Sequence, residues 1–329
     1  MKPELLDILR CPETGQSLQC RVTNEIKGDI VSGELVTPNG EKCYPIINYI
    51  PRFVSTDNYA QGFGFQWNKF RNTQLDSYTG VSLSRDRLFE SSGWTPTMLK
   101  HKRVLDVGCG AGRFTEIALD SEAFVVALDY SSAVDACWAN HSSNPNLNVI
   151  QGDIYHLPFA PNHFDFVYCL GVLQHTPHVK ESFMALPKQL IYGGRLVVDV
   201  YPALWLNVLW PKYWLRPISK RIPQKLLLNI VELMVACLLP ISLFVGRIPK
   251  LGHKLRYAIP VCNYDGIFPL SKTQLREWAV LDTFDMFASR YDKPQTLPTL
   301  RAWFEEAGMK DIEVFRRGCY VGRAMMPYE

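Results

Sequence analysis

Between positions 201 and 260 the chain has almost no acid. Glu232 stands alone against nine cations: Lys212, Arg216, Lys220, Arg221, Lys225, Arg247, Lys250, Lys254 and Arg256. The formal net charge of the 329 residues is only +3, so the remainder is acidic and one surface is expected to meet something anionic. No C-x-x-C pair occurs, and the nine cysteines are scattered and odd in number, which excludes a disulfide framework and fits reduced thiols. Met1-Lys2-Pro3-Glu4 opens a mixed-charge segment, so no secretory leader is expected and a cytoplasmic location is. An unbroken membrane span is also missing. The one candidate, 226–245, is interrupted by Asn229, Glu232, Pro240 and Ser242, and a carboxylate at mid-bilayer costs a few kcal/mol, which disfavours crossing but not lying at a membrane surface. Hydrophobic residues are not scarce: at 47% they exclude global disorder.

What is present divides into five stretches. Residues 1–55 are short runs punctuated by Gly and Pro, such as 30–36 and 44–54, and predict a small β-rich module. Residues 56–100 read as a polar and aromatic connector with a weak helical pattern. Residues 101–200 alternate apolar runs (103–107, 124–128, 147–150, 164–170 and 195–200) with helical stretches (113–120, 131–141 and 179–191), the pattern of a parallel α/β sheet. Pro187 should kink or shorten the last helix. Residues 201–296 are basic, apolar and rich in Pro and Trp. Residues 297–329 resume the alternation, with a helix over 300–307 and a closing strand pair over 311–316 and 320–326.

The chemistry concentrates in Val104-Leu105-Asp106-Val107-Gly108-Cys109-Gly110-Ala111-Gly112-Arg113. An apolar strand feeds a glycine turn that opens a helix, a place where the backbone can approach a ligand closely. A dinucleotide fingerprint would need glycine at 113, where a bulky Arg113 stands instead, so a pyrophosphate is excluded. Asp129 ends the next strand, 23 residues after Asp106, and is placed to accept from ribose hydroxyls. Gly152-Asp153-Ile154 follows the third strand; Asp153 either accepts from an adenine amine or closes an Asx turn.

Together with Phe164-Asp165-Phe166-Val167 and Gly193-Gly194-Arg195-Leu196, these segments resemble the successive motifs of class I S-adenosylmethionine-dependent methyltransferases, of the type 11 kind, over 101–200 and again over 297–329. The resemblance implies a Rossmann-like seven-stranded sheet whose last strand is antiparallel, with S-adenosylmethionine lying across the strand ends. It implies that Asp106 and Gly108, Cys109, Gly110 and Gly112 flank the methionine part. Asp129 and Tyr130 would then face the ribose, Asp153 and Ile154 the adenine, and Leu170, after the fourth strand, the methyl-bearing end. In Leu170-Gly171-Val172-Leu173-Gln174-His175, His175 is the candidate general base, the alternative being a histidine that orders the loop or touches the cofactor. The aromatic run 62–70 is expected either to pack on the sheet or to close over the cofactor, with Gln66 and Trp67 as contacts.

The N-terminal Leu9-Arg10-Cys11-Pro12-Glu13-Thr14-Gly15 and Tyr44-Pro45-Ile46-Ile47 resemble the small zinc-ribbon-like activator of tRNA and translation-factor methyltransferases. Thr14 occupies a ligand position of such a ribbon, so no metal is expected. The 201–296 insert, with Trp205, Trp210 and Trp214, is either a helical cap over the acceptor or a face for an anionic membrane. A small-molecule or lipid-like acceptor is expected. The alternatives are a tRNA or protein acceptor, which the absence of a basic stripe on a recognisable RNA fold disfavours, and a non-catalytic scaffold.

Overall fold

The computed structural model describes residues 1–55, 57–204 and 210–328; Trp205 lies outside the described residues. In the N-terminal module, β1 (Gln19–Ile26), β2 (Asp29–Val36), β3 (Cys43–Ile47) and β4 (Ile50–Pro51) form an antiparallel meander. The larger sheet contains β5 (Arg103–Val107), β6 (Phe124–Asp129), β7 (Leu147–Gln151), β8 (Phe164–Cys169), β9 (Leu190–Val200), β10 (Lys310–Arg317) and β11 (Cys319–Met325), in the order β7-β6-β5-β8-β9-β11-β10. All neighbours are parallel except those of β11, which runs against both β9 and β10. This is the seven-stranded class I methyltransferase arrangement that the sequence motifs implied.

Burial alternates with the pleat, as a two-faced sheet requires. Leu105, Val107, Val126, Leu128, Val167, Cys169, Leu196 and Val198 pack on one face, and Val104, Val125, Ala127, Phe166, Tyr168 and Val197 on the other. The helices are α1 (Gln61–Lys69), α2 (Asp76–Thr79), α3 (Leu83–Ser92), α4 (Pro96–Leu99), α5 (Arg113–Asp120), α6 (Ala133–His141), α7 (Val179–Ala185), α8 (Pro211–Ser219), α9 (Gln224–Gly246), α10 (Gly252–Leu255), α11 (Lys272–Ala288) and α12 (Leu297–Glu306). The weak helical pattern of the connector corresponds to four helices, α1 to α4, between Gln61 and Leu99. The helix expected over 179–191 stops at Ala185: Pro187, without an amide to continue the ladder, starts a 3-10 turn, and β9 begins at Leu190, five residues earlier than expected.

The N-terminal module has no separate core. Leu5, Leu9, Leu35, Ile46 and Phe53 join the same cluster as Leu128, Ile150 and Phe159 of the main domain. Arg52 pairs beside Gln151 at the outer edge strand β7, and Phe53 N–H donates to the Gln151 carbonyl at 2.8 Å. The Arg52 guanidinium donates to Gln151 Oε1 at 2.8 Å and to Asp135 Oδ1 at 2.6 Å. An edge that would otherwise offer free donors is thus covered.

The insert leaves β9 and returns beside it. Gln295 N–H donates to the Tyr201 carbonyl, Ala203 N–H to that of Gln295, and Lys293 N–H to that of Gln174. α8 is fastened to this return strap by ionic contacts: Asp292 accepts from Lys212 Nζ at 2.9 Å and Arg216 Nη1 at 2.6 Å, and its side chain is 1% exposed. Arg216 also donates to the Met286 carbonyl. Two of the nine cations counted as surface charge are therefore internal. Burial pushes the Asp292 carboxyl up, but Lys212 and Arg216 outweigh it and hold it below the ordinary aspartate value. The stabilisation is accordingly present at neutral pH and is lost as pH falls through that depressed value. Asp292→Asn should lower stability by about 3–5 kcal/mol at pH 7 by stranding two buried cations. The gap to wild type in urea unfolding should close in acid, where the native carboxyl is neutral too; a gap unchanged by pH would refute the ionic anchor.

Candidate active site

The strand order reverses between β5 and β8, so the loops after these two strands diverge and leave a crevice at their carboxyl ends. One wall is the glycine turn after β5, where Gly108, Gly110 and Gly112 have φ of +83°, +54° and +90°. The facing wall is the loop after β8. A Cβ on Gly108 would lie 2.3 Å from Val172 of that loop, so only glycine fits between the two.

β6 holds the turn in shape. The Leu128 carbonyl accepts from Gly108 N–H (2.7 Å) and Cys109 N–H (3.0 Å). The Asp129 carboxylate accepts from Gly110 N–H at 3.0 Å and from Ser131 N–H and Oγ–H at 2.8 and 2.7 Å. From the far side, Asn140 donates to the Ala111 carbonyl (2.9 Å), and His141 Nε2 lies 3.1 Å from that of Gly112. Burial pushes the Asp129 carboxyl up, against its hydrogen bonds to Ser131 and Gly110.

Other site residues named from sequence lie behind this surface. Asp106 is 2% exposed and accepts from Thr115 Oγ at 2.6 Å, and burial pushes its carboxyl up to about 7. Cys109, Ile154 and Leu170 are buried in the core, where their side chains support the loops. Asp153 is half-buried, closes an Asx turn onto Tyr155 N–H at 3.0 Å, and lines a cavity of about 620 Å³ with Tyr59, Tyr155 and His156.

One segment roofs the crevice from end to end. Tyr59 stacks on Tyr130 with ring centroids 4.8 Å apart. Phe63 of α1 packs on His175 at 5.2 Å. Trp67, at the other end of α1, sits over Gly110, where an added Cβ would be 3.1 Å from its indole. Gln66 is 2% exposed and, among the described residues, its Oε1 has no partner; neither do the two amide atoms of buried Gln174. Orphaned amides on the roof helix and in the loop after β8 are groups that a bound polar ligand would satisfy.

His175 is 7% exposed, enclosed by Phe63 and by Tyr201, whose ring centroid is 5.3 Å away. Its Nδ1 lies 3.0 Å from the Tyr291 carbonyl. A carbonyl only accepts, so in the neutral ring Nδ1 carries the proton and Nε2 the lone pair, the tautomer a base requires. Sequence reasoning missed Asp199, which receives Gly171 N–H and Arg87 (2.6 Å) and so anchors the loop that carries His175. An acid set in the apolar end of β9, one residue before its last, was its only signal. Asn140, His141 and Tyr59 carried none.

Residues 105–198 match the model described as a methyltransferase domain, and residues 2–48 that of Trm112p-like protein. The chain thus carries a class I methyltransferase domain of the S-adenosylmethionine-dependent kind. Ahead of it stands a Trm112p-like N-terminal domain. The chain is 32% identical over 100 residues to the ubiquinone biosynthesis O-methyltransferase of Coxiella burnetii, covering 30% of this chain and 43% of that protein. It is 35% identical over 97 residues to the demethylmenaquinone methyltransferase of Renibacterium salmoninarum, covering 30% and 40%. The match therefore spans less than half the length of these curated relatives. Among solved structures, a SAM-dependent methyltransferase from Aquifex aeolicus superposes with a TM-score of 0.42 at 12% identity, over 82% of this chain and 98% of that one.

The Asp106 carboxyl sets a pH signature. Its folded value, raised to about 7, lies above the unfolded value near 3.9, so the folded state holds the proton more tightly. Its contribution is full below about pH 4 and is lost as pH rises to about 7, on the order of 3–4 kcal/mol. Asp106→Asn, which keeps an acceptor for Thr115 and cannot ionise, should flatten the fall in unfolding free energy across that window. A slope identical to wild type would show that Asp106 is ionised in the fold.

Proposed function

We propose that the chain transfers a methyl group from S-adenosylmethionine to a small, lipid-like acceptor. The observation that carries this reading is the glycine turn tied to Asp129 and roofed by 59–67, with an aromatic-walled histidine at its end. S-adenosylmethionine, when bound, supplies a methyl on a positively charged sulfur and leaves as S-adenosylhomocysteine. On this reading Asp129 receives the ribose hydroxyls, Asp153 the adenine amine, and Gln66 and Gln174 the polar groups of the methionine part. Tyr59, Phe63 and Trp67 exclude water. His175 Nε2 takes the proton of the acceptor hydroxyl as its oxygen attacks. Positioning alone supplies up to about 7–11 kcal/mol of such an acceleration, and a base adds 10²–10⁴-fold in typical cases. Phe63, Tyr201 and Tyr291 make the acceptor end apolar, in keeping with the quinone methylations named for two relatives. The Trm112p-like domain favours a second reading, a tRNA or protein acceptor.

Tritiated-methyl S-adenosylmethionine added with the protein to fractionated cell extract should label the lipid-extractable pool; label in RNA or protein would replace the first reading with the second. No heat on titrating S-adenosylmethionine would leave only a scaffold. Asp129→Ala should weaken that binding by about 1–3 kcal/mol, and unchanged affinity would remove the ribose assignment. His175→Ala should lower kcat by roughly 10²-fold with S-adenosylmethionine affinity retained. A fall in affinity of similar size would instead assign His175 to loop order.

A further inference from the structure

The insert presents a surface unlike the rest of the chain. α9 packs on α11 through Leu227, Leu228, Val231 and Val235, with Phe284 and Phe287 opposite. Its other side carries Leu226, Ile230, Leu233, Cys237, Ile241 and Phe244. Their spacing of three or four residues sets them in one stripe along the helix, and all are exposed, Leu233 at 65% and Phe244 at 72%. Only 28% of the apolar window of this 23-residue helix is buried. α8 leaves Trp214 and Ile218, one turn apart, at 69% and 67% exposed, and Leu251, just before α10, and Leu255, at its end, are exposed. Trp210 at the start of α8 stacks on Tyr257 just beyond α10, with centroids 6.1 Å apart, so these helix ends meet. Exposed apolar surface on this scale marks an interaction site.

Charge surrounds the stripe. Lys220, Arg221 and Lys225 are exposed at the start of α9, and Arg247, Lys250 and Lys254 beyond its end. Between α1 and the start of α9 opens a cleft of about 960 Å³ lined by Lys69, Lys220, Arg221 and Lys225, together with Asn68 and apolar Phe65; among the described residues its lining holds no carboxylate. An apolar stripe framed by cations, beside a cationic cleft with an apolar wall, matches an anionic phospholipid: acyl chains for the one, a phosphate headgroup for the other. A second copy packed on this face by two-fold symmetry would set the same cations against themselves. Crossing the bilayer would strip α9 from α11 and carry Glu232 through the core.

We propose that the insert lies in the surface of an anionic membrane, the α9 stripe among the acyl chains and a phospholipid headgroup in the cleft between α1 and α9. This does not rest on methyl transfer, since binding is read without S-adenosylmethionine. It does place the lipid on the roof helix itself: Phe65 and Lys69 of α1 line the cleft while Phe63 and Trp67 cover the crevice.

The test is sedimentation of the full chain with vesicles of phosphatidylcholine alone and of equal parts phosphatidylcholine and phosphatidylglycerol. The protein should pellet with the mixed vesicles, stay in solution with the neutral ones, and be released in about 1 M salt, where charges are screened beyond about 3 Å. A cation at an anionic surface is worth about a five-fold change in affinity. Lys220→Glu with Arg221→Glu should therefore weaken binding at least about twenty-fold. Leu233→Ser with Phe244→Ser, both on exposed positions, should weaken it at least ten-fold with an unchanged melting temperature. Supernatant protein with both vesicles, equal binding to both, or retention after an alkaline carbonate wash would each overturn the proposal. So would a dimer in analytical ultracentrifugation that Leu233→Ser with Phe244→Ser dissolves.

Discussion

The site depends on one constraint: the backbone donors of the glycine turn are committed to the end of β6. Gly108, Cys109 and Gly110 offer three amides within one tight turn, and Leu128 and Asp129 take all three. A hydrogen bond to a carboxylate contributes about 1.5–3 kcal/mol, enough to hold a turn whose glycines would otherwise sample many shapes. Asn140 and His141 then hold the carbonyls of Ala111 and Gly112 from α6. Asp129 is therefore structural before it meets any ligand. Its oxygens still have lone-pair room, because each carboxylate oxygen accepts more than one donor.

With the floor held, the roof follows. The segment 58–67 bonds to the residue after β6, Asn58 donating to the Tyr130 carbonyl, stacks Tyr59 on Tyr130, and brings Phe63 and Trp67 down on the two ends of the crevice. Gly64 permits this: a Cβ there would lie 2.4 Å from Ser132 Oγ. The return strap closes the remaining side, since Tyr291 meets both Tyr59 and His175. Roof, floor and strap come from three separate stretches of the chain, the roof ahead of the 105–198 domain and the strap beyond it, which is why the crevice belongs to the whole fold and not to that domain alone.

What was legible in the sequence was whatever local pattern decides. The buried parallel strands read as apolar runs because both faces are covered, and Asp129 could be placed because strand ends and ligand chemistry share a spacing. β1 was not legible: most of its residues face solvent, so Gln19–Ile26 shows no apolar alternation. α1 read weakly because it lies between α6 and α11 of the insert, so its aromatics contact two surfaces and blur a 3.6-residue period. Asp199 and Arg87 act only through neighbours that folding brings to them. Lys212 and Arg216 looked like surface charge for the same reason, their partner Asp292 being some 80 residues away.

α9 shows the limit of periodicity most sharply. An amphipathic helix announces its surroundings through one apolar and one polar face, but a helix apolar on both sides announces only that water is excluded from both. A bilayer all round satisfies that condition, and so does a protein core all round. α9 has core on one side, where Leu227, Val231 and Val235 meet α11, and the exposed Leu226–Phe244 stripe on the other. A uniform surrounding would leave Asn229 and Glu232 as unpaired burdens in its middle. With two different surroundings they lie at the boundary, exposed at the edge of the stripe, where a polar group costs little. Composition alone therefore could not separate a span from a cap; the packing of α9 on α11 puts protein core against one of its faces only.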